Sequence, residues 1–473
     1  MTTSMKQDLI ELLGKAGVID DAATMEPFLQ EERGILQGHS VLVICPANTE
    51  QVSQVVKYCA THSISITPQG GNTGTVAGAI GEDGILLSLR RMNRIIEIDP
   101  LNRTATVESG CVLANLQQAA ADHDLLFPVS LGSEGSCQLG GILSTNAGGV
   151  NVLRYGNAGE QLLGLEVVMP DGQTWDGLRG LRKDNTGYDL KRLFCRAEGT
   201  LGIITRAVVK LYAAPKTTTT LMVACPNYGA ALAVFGQMQN SFDSNLSAAE
   251  LISDTAMGFV VKNIPATANP FANNPSSDNK GCYVLFELTS ARIDKQLRDD
   301  AEALLEQALE QGLADDVVIA ENQIQANKLW QLRESISASQ KGEGGSIKHD
   351  IAVPVSKLAG FLAQAEAIIC TENPDIRICA FGHIGDGNLH YNLSQPLTAD
   401  RAEFLAQWNH FNRLIHDLAM KLGGSFSAEH GIGQRKIKDM EHYKQPLELE
   451  LMSKIKAALD PQQLMNPGKV IRR

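Results

Sequence analysis

The chain predicts an α+β fold built on two sheets rather than a simple βαβ repeat. Three observations predict it. At 473 residues it is too long for one ordinary core, so two or three domains are expected. Its first half sets short β-branched runs among helical insertions at uneven spacing. Near residue 215 the texture changes and a second α/β segment begins.

The elements follow in order. "MTTSMKQDLIELLGKAGVI" has the spacing of an amphipathic helix. "SVLVICP" is an apolar, β-branched strand ended by Pro46, and "ANTEQVSQVVKYCATH" is a helix with Asn48 or Thr49 as its cap. "SISITPQGG" runs from strand into glycine loop. "GILLSL", "RIIEIDP" and "TATVESG" are strands, and "VLANLQQAAADHD" is a helix. "QLLGLEVVMPDGQTWDG" is a hairpin turning at Asp171-Gly172, and "GIITRAVVKLYAAP" is a further strand. "APKTTTT" reads as a connector. Asn263 to Gly281, rich in proline and asparagine, reads as an exposed loop. "RDDAEALLEQALEQGLADD", "VSKLAGFLAQAEAIIC" and "AEFLAQWNHFNRLIHDLAMKLGG" are helices. There is no internal repeat.

Composition narrows the function. Apolar residues make up 44% and charged residues 20%, which is ordinary for a globular protein in water. The net charge is −12 with no basic tract, which argues against nucleic acid and anionic membranes as partners. Local charge still permits an anionic small molecule. Nine cysteines without a CxxC pair read as reduced thiols, so a cytoplasmic location is expected. The N-terminal stretch lacks the apolar run and cleavage site of a signal peptide. No run of ~18 apolar residues predicts a transmembrane helix.

The 43 glycines cluster. "TPQGGNTGTVAGA" (67–79) follows a strand, and "SLGSEGSCQLGGILSTNAGG" (130–149) lies ~60 residues on. Small residues let backbone N–H groups approach an anion, and glycine supplies positive φ where the loop needs it. Neither segment is a G-x-G-x-x-G fingerprint, and no Gly-Lys-Ser/Thr occurs, so a nicotinamide Rossmann domain and an NTPase are disfavoured. Tight turns alone would explain either loop. The pair favours a large phosphate-bearing ligand held by backbone.

A second cluster is histidine-rich. In "AFGHIGDGNLHYNL", His383 and His390 flank Gly385-Asp386-Gly387, which suggests a hairpin whose histidines end side by side. "GGSFSAEHGIGQRK" adds adjacent Glu429 and His430. A His/His/Glu set is a sound field for a divalent metal, zinc above others, with a position left for substrate. The plain alternative is hydrogen-bonded histidines with no ion.

The order of "PQGGNTG", "GSEGSCQLGGILSTNAGG", "AEGTLGIIT" and the closing "MNPGKV" resembles the FAD-binding fold of the vanillyl-alcohol-oxidase type. "GHIGDGNLH" and "EHGIG" are similar to signatures of the metal-containing FAD-dependent D-2-hydroxy-acid dehydrogenases. The resemblance runs from about residue 38 to the end. It implies an FAD-binding domain over 1–216, an α/β substrate (cap) domain over 217–424 carrying the histidine hairpin, and a C-terminal segment, 425–473, returning to the flavin. By the same resemblance Gln69, Gly70, Gly71, Asn72, Thr73 and Gly74 hold the pyrophosphate. Gly141, Thr145, Asn146 and Gly148 line the isoalloxazine. Glu198, Gly202 and Ile203 support the adenosine side and ring edge, and Asn466 belongs to the closing motif. Some relatives attach flavin to a histidine near Asn72, so the FAD here is expected to be non-covalent.

The resemblance also implies that His383, His390 and Glu429 ligate Zn²⁺ or another divalent metal and that His430 is the general base. Asn388 would hydrogen-bond the substrate. Arg333 and Lys348 match cations that bind a diacid's carboxylates, with Ser337 where such enzymes often carry threonine; by residue type alone each cation is more often a solvated surface charge. The implied reaction is oxidation of a D-2-hydroxy acid, D-2-hydroxyglutarate or D-malate first, to the 2-oxo acid. Rivals are a D-lactate or glycolate dehydrogenase, a metal-dependent hydrolase using the same ligands, and a flavoprotein with a structural metal. The resemblance makes an electron-transfer flavoprotein or a quinone-linked carrier the acceptor. Related enzymes are often homodimers, and the oligomeric state is left open.

Overall fold

The computed structural model describes residues 2–272 and 281–472. Part of the proline- and asparagine-rich loop expected over 263–281 therefore lies outside the described residues. The chain divides into two compact units. One is Met1–Gly149, Gly156–Ala214 and Glu429–Arg473; the other is Val150–Tyr155 and Pro215–Ala428.

The first unit holds strands β1 (Val18–Ile19), β2 (Leu42–Ile44), β3 (Ile66–Gln69), β4 (Ile85–Ser88), β5 (Ile95–Asp99), β6 (Thr104–Glu108), β7 (Leu125–Leu126), β8 (Leu162–Val168), β9 (Thr174–Gly177), β10 (Ile203–Lys210) and β11 (Tyr212–Ala213). They form a four-stranded sheet in the order β1-β2-β4-β3, a five-stranded sheet in the order β5-β6-β10-β8-β9, and the pair β11-β7. In the first sheet β2, β4 and β3 are parallel. Parallel strands are covered on both faces, and every residue of β2 and β4 is buried. Asn48 caps the covering helix Thr49–His62, its side chain accepting from Gln51 N at 2.9 Å. That helix buries Val52, Val55, Val56 and Cys59 against the sheet. The second sheet is antiparallel, and β8 and β9 form the expected hairpin, closed by Gly172 N to Met169 O at 2.8 Å.

The closing motif returns to this unit. Ile66 N donates to Leu464 O and Asn466 N to Ile66 O, each at 2.8 Å, so the motif lies alongside β3 just before the first glycine loop.

The second unit holds β12 (Thr217–Cys225), β13 (Leu246–Ser253), β14 (Cys282–Ser290), β15 (Asp316–Ile319), β16 (Ser346–Ile347), β17 (Ile351–Ala352), β18 (Arg377–His383) and β19 (Asn388–Ser394). Their order is β15-β12-β14-β13-β18-β19-β16, with β17 also on β19. Side chains alternate between faces with period 2. Ala249, Leu251, Ala380, Leu389, Tyr391 and Leu393 share one core with the helices Tyr228–Phe242, Leu358–Glu372 and Trp408–Lys421. Ile252, Cys379 and Phe381 face the other way, onto the helices Asp254–Asn263 and Gln323–Glu334.

Two expectations are corrected. Thr217 to Thr220 are not a connector but the first residues of β12, paired to Ser290 through Glu287; β-branched threonines suit a pleated strand. The last long helix is two, Arg401–Ala406 and Trp408–Lys421, parted at Gln407.

Candidate active site

In the first unit a cavity of ≈ 350 Å³ opens beyond the C-terminal end of β3. Gln69, Gly70, Gly71, Asn72, Thr73 and Gly74 line it on one side, and Gly141, Thr145 and Gly148 on another. Glu198, Gly202 and Ile203 also line it. The glycines are required for two different reasons. A β-carbon on Gly71 would lie 2.2 Å from Ser136 O, so the protein's own packing excludes one. A β-carbon on Gly74 or Gly141 would meet no atom within 4 Å. Gly141 lies inside the helix Leu139–Thr145, where glycine costs about 1 kcal/mol against alanine. Its packing does not ask for glycine, so the open space beside it is a cradle that a side chain would fill. The backbone N–H groups of residues 70–74 donate to no described residue, and such groups want an anion or water. The cleft therefore fits a dinucleotide's pyrophosphate.

Asn72 sits in the left-handed region at φ 55 and turns its amide back, Nδ2 donating to Gln30 O at 2.8 Å. Glu198 is buried, and its carboxylate accepts from Ile432 N (2.8 Å) and Gly433 N (2.7 Å). Burial pushes that carboxyl above its ordinary range while the two amides pull it back. Glu198 thus fastens the segment after His430 to the cleft wall. Glu429 and His430 themselves line the cavity, His430 Nε2 3.6 Å from Glu429 Oε1.

Two expected flavin residues do not line the cavity. Asn146 ends the helix Leu139–Thr145 at φ 53, and its Oδ1 accepts from Gly159 N at 2.8 Å. Asn466 Nδ2 donates to Gly78 O (2.8 Å) and Glu198 O (2.7 Å). Both fasten backbone behind the wall.

In the second unit the histidine hairpin forms, but with an offset register. His383 faces Asn388 across β18–β19, and His390 faces Phe381. The histidines are diagonal neighbours on one face, ring centroids 6.2 Å apart, but among the described residues His383 does not join the group of ligand atoms within 4.8 Å of one another to which His390 belongs. Gly387, at φ 79, closes the turn; a β-carbon there would lie 1.9 Å from Val353 O. His383 Nδ1 lies 2.6 Å from Glu250 Oε1. The carboxylate accepts, so Nδ1 carries the proton and Nε2 is the nitrogen left with a lone pair. Asp350 offers a carboxylate oxygen within 4.8 Å of a His390 ring nitrogen. Asp350 also accepts from Asn388 Nδ2 (3.0 Å), and its carbonyl accepts from Ala428 N (3.2 Å), the residue before Glu429. This donor set of imidazole and carboxylate fits a divalent metal.

The cations are placed unequally. Arg333 is buried, its Nε donating to Glu250 Oε2 at 2.7 Å and its guanidinium 5.0 Å from the Phe381 ring centroid. Lys348, half-buried, lies between β16 and β17. Burial raises the Cys379 thiol to about 12 while the charges of Lys348 and Arg333 both pull it down, so the two cations share that neighbourhood. Ser337 is exposed on the short helix Ile336–Ser339, separated from Arg333 by the turn at Ser335. Asn388 is buried; its Nδ2 is taken by Asp350 and by Ile351 O at 2.9 Å, while its Oδ1 has no partner among the described residues.

Sequence reading missed Glu250 and Asp350. A lone carboxylate inside the apolar strand "LSAAELIS" was the available signal for the first. Burial opposes charge on Glu250, yet His383 and Arg333 outweigh it and hold the carboxyl below its ordinary range.

Residues 41–177 match the FAD binding domain family, and residues 214–470 match the FAD linked oxidases, C-terminal domain family. A D-2-hydroxyglutarate dehydrogenase from Stutzerimonas stutzeri (strain A1501) is 35% identical, over 99% of each chain. The mitochondrial D-2-hydroxyglutarate dehydrogenase of Arabidopsis thaliana is 34% identical over 98% of this chain and 80% of its own. A D-2-hydroxyglutarate–pyruvate transhydrogenase of Saccharomyces cerevisiae (strain ATCC 204508 / S288c) is 33% identical over 92% and 87%. Among solved structures, p-cresol methylhydroxylase is similar in fold, with a TM-score of 0.78 at 18% identity over 99% of this chain and 96% of that one. Alkyldihydroxyacetonephosphate synthase gives 0.74 at 19% identity over 98% and 84%. These matches set aside the hydrolase. No helix among the described residues is long and apolar enough to cross a membrane.

Proposed function

The chain belongs to the FAD-linked oxidases, among the flavin-dependent D-2-hydroxy-acid dehydrogenases, and from that premise we propose that it oxidises a D-2-hydroxy diacid, D-2-hydroxyglutarate ahead of D-malate, to the 2-oxo acid. Bound FAD supplies the hydride acceptor, and a divalent cation, zinc first, supplies a Lewis acid for the 2-hydroxyl. The chain's residues bind, orient and move the proton. The amides of residues 70–74 hold the pyrophosphate. Asn72 offers no nucleophile and its amide is tied to Gln30, which supports non-covalent flavin. His383, His390 and Glu429 are the metal ligands, with Asp350 as a further donor. His430 takes the hydroxyl proton, a task suited to imidazole near neutral pH. Arg333 and Lys348 hold the carboxylates, and the Asn388 amide orients the hydroxy-acid end.

The observation that carries this reading is that His430 lines the same cavity as the cradle glycines. A second reading, a monocarboxylate such as D-lactate or glycolate, is favoured by the exposure of Ser337. An electron-transfer flavoprotein or a quinone-linked carrier is the proposed acceptor, and a homodimer the proposed assembly. Reduced, mostly buried cysteines support a cytoplasmic location, although the Arabidopsis relative is named mitochondrial.

The test is anaerobic bleaching of the flavin by D-2-hydroxyglutarate, D-malate, D-lactate and glycolate. The five-carbon diacid should bleach fastest at low concentration. Fastest bleaching by D-lactate or glycolate selects the second reading, and none with any of the four overturns both.

A further inference from the structure

Every residue of β13 is buried, and Glu250 is its one charged residue. A carboxylate there is costly unless each oxygen is matched. Both are. Oε1 lies 2.6 Å from His383 Nδ1, and Oε2 lies 2.7 Å from Arg333 Nε. Glu250 and His383 are direct cross-strand partners on β13 and β18, so the first contact is set by sheet register. Arg333 comes from the helix Gln323–Glu334 and is steadied by the ring of Phe381, two residues before His383 on the same face. Arg333 Nη1 and Nη2 make no hydrogen bond to a described residue. The guanidinium is therefore held by its Nε edge alone.

We propose that Glu250 is a positioning residue that couples the metal site to the carboxylate clamp, holding His383 as the Nε2 ligand with one oxygen and aiming the Nη edge of Arg333 at the substrate's distal carboxylate with the other. The proposal rests on the metal and diacid reading given above. Its consequence is that one substitution disturbs two functions that no single side chain in contact with substrate would join. A glutamine at 250 keeps the shape, but its oxygen can accept from only one of the two N–H donors, and its amide nitrogen opposes the other. Losing the partner of a metal-ligating histidine typically lowers metal affinity ~10- to 100-fold.

The experiment uses full-length protein with FAD bound. Zn²⁺ affinity is measured by competition with a chromophoric chelator, and KM is measured for D-2-hydroxyglutarate and D-lactate. Glu250→Gln should lower Zn²⁺ affinity ~10- to 100-fold and raise KM for the diacid several-fold more than KM for the monoacid. Glu250→Asp, which keeps the charge, should restore part of the metal affinity. A role in stability alone would lower Tm and leave both the affinity and the KM ratio unmoved at 25 °C, and that result overturns the proposal. Neutron diffraction of the unaltered protein needs no variant: deuterium on His383 Nδ1 is expected, and deuterium on Nε2 overturns the coupling. If the unaltered protein neither binds Zn²⁺ nor turns over the diacid, the reading of the function fails; if it does both and Glu250→Gln matches it, only the role of Glu250 fails.

Discussion

At the scale of single residues, the site depends on what holds each side chain still. His430 stands on the cleft wall because the chain just after it is tied down, through Ile432 and Gly433, to the Glu198 carboxylate. The task proposed for it is a proton transfer, which typically contributes ~10²–10⁴-fold. His430→Ala should therefore lower kcat by about that factor while flavin absorbance and bound metal stay at wild-type levels. Stopped-flow flavin reduction with metal analysis measures both, and full activity in the variant removes the base assignment. Asn146 and Asn466, from motifs expected to meet the flavin, also hold backbone with their side chains. A motif identifies the loop; which atoms of the loop face the ligand is settled by neighbours far away in sequence.

At the scale of elements, the helix Leu139–Thr145 carries a glycine its own stability does not want. Gly141→Ala meets no steric barrier and should gain up to about 1 kcal/mol of helix propensity. The apoprotein should melt at the same temperature or higher while FAD affinity falls, as read by calorimetry and flavin fluorescence; unchanged FAD affinity would dismiss the cradle. A second element-level device is Glu343, which receives Lys262 Nζ (2.8 Å) and Asn263 Nδ2 (2.6 Å) from the end of one helix and an Arg377 bond from the start of β18. Burial works to raise its carboxyl, but these donors outweigh it and bring it down to about 2 from 4.5. A depressed carboxyl stabilises the fold above its unfolded value and loses that contribution as pH falls from about 4.5 towards 2. Because Lys262 is exposed, the contribution is discounted to roughly 2 kcal/mol. Glu343→Gln should lower the urea midpoint at pH 7 and show a smaller loss than wild type between pH 5 and pH 3; parallel losses would refute the linkage.

At the scale of the molecule, the cleft for the flavin is lined by the first unit alone, while His383, His390 and Asp350 lie in the second. Chelator treatment should thus abolish turnover without releasing FAD, and re-added Zn²⁺ should restore it; loss of the yellow colour together with the metal would contradict this division. The same division shows what was legible beforehand. The sequence by itself determined the backbone-built cleft, because its glycines are contiguous and their purpose, amides without side chains, is written in residue type. It also determined the histidine hairpin, since turn and flanking residues are local. Only the tertiary structure decided the two-residue offset of those histidines, the fastening roles of Asn146 and Asn466, and the Glu250–His383–Arg333 set. Those contacts join residues 83 and 133 positions apart; the Glu250–His383 contact follows from the long-range register of β13 with β18 and the Arg333 contact from the packing of a helix on that sheet, neither of which local spacing encodes.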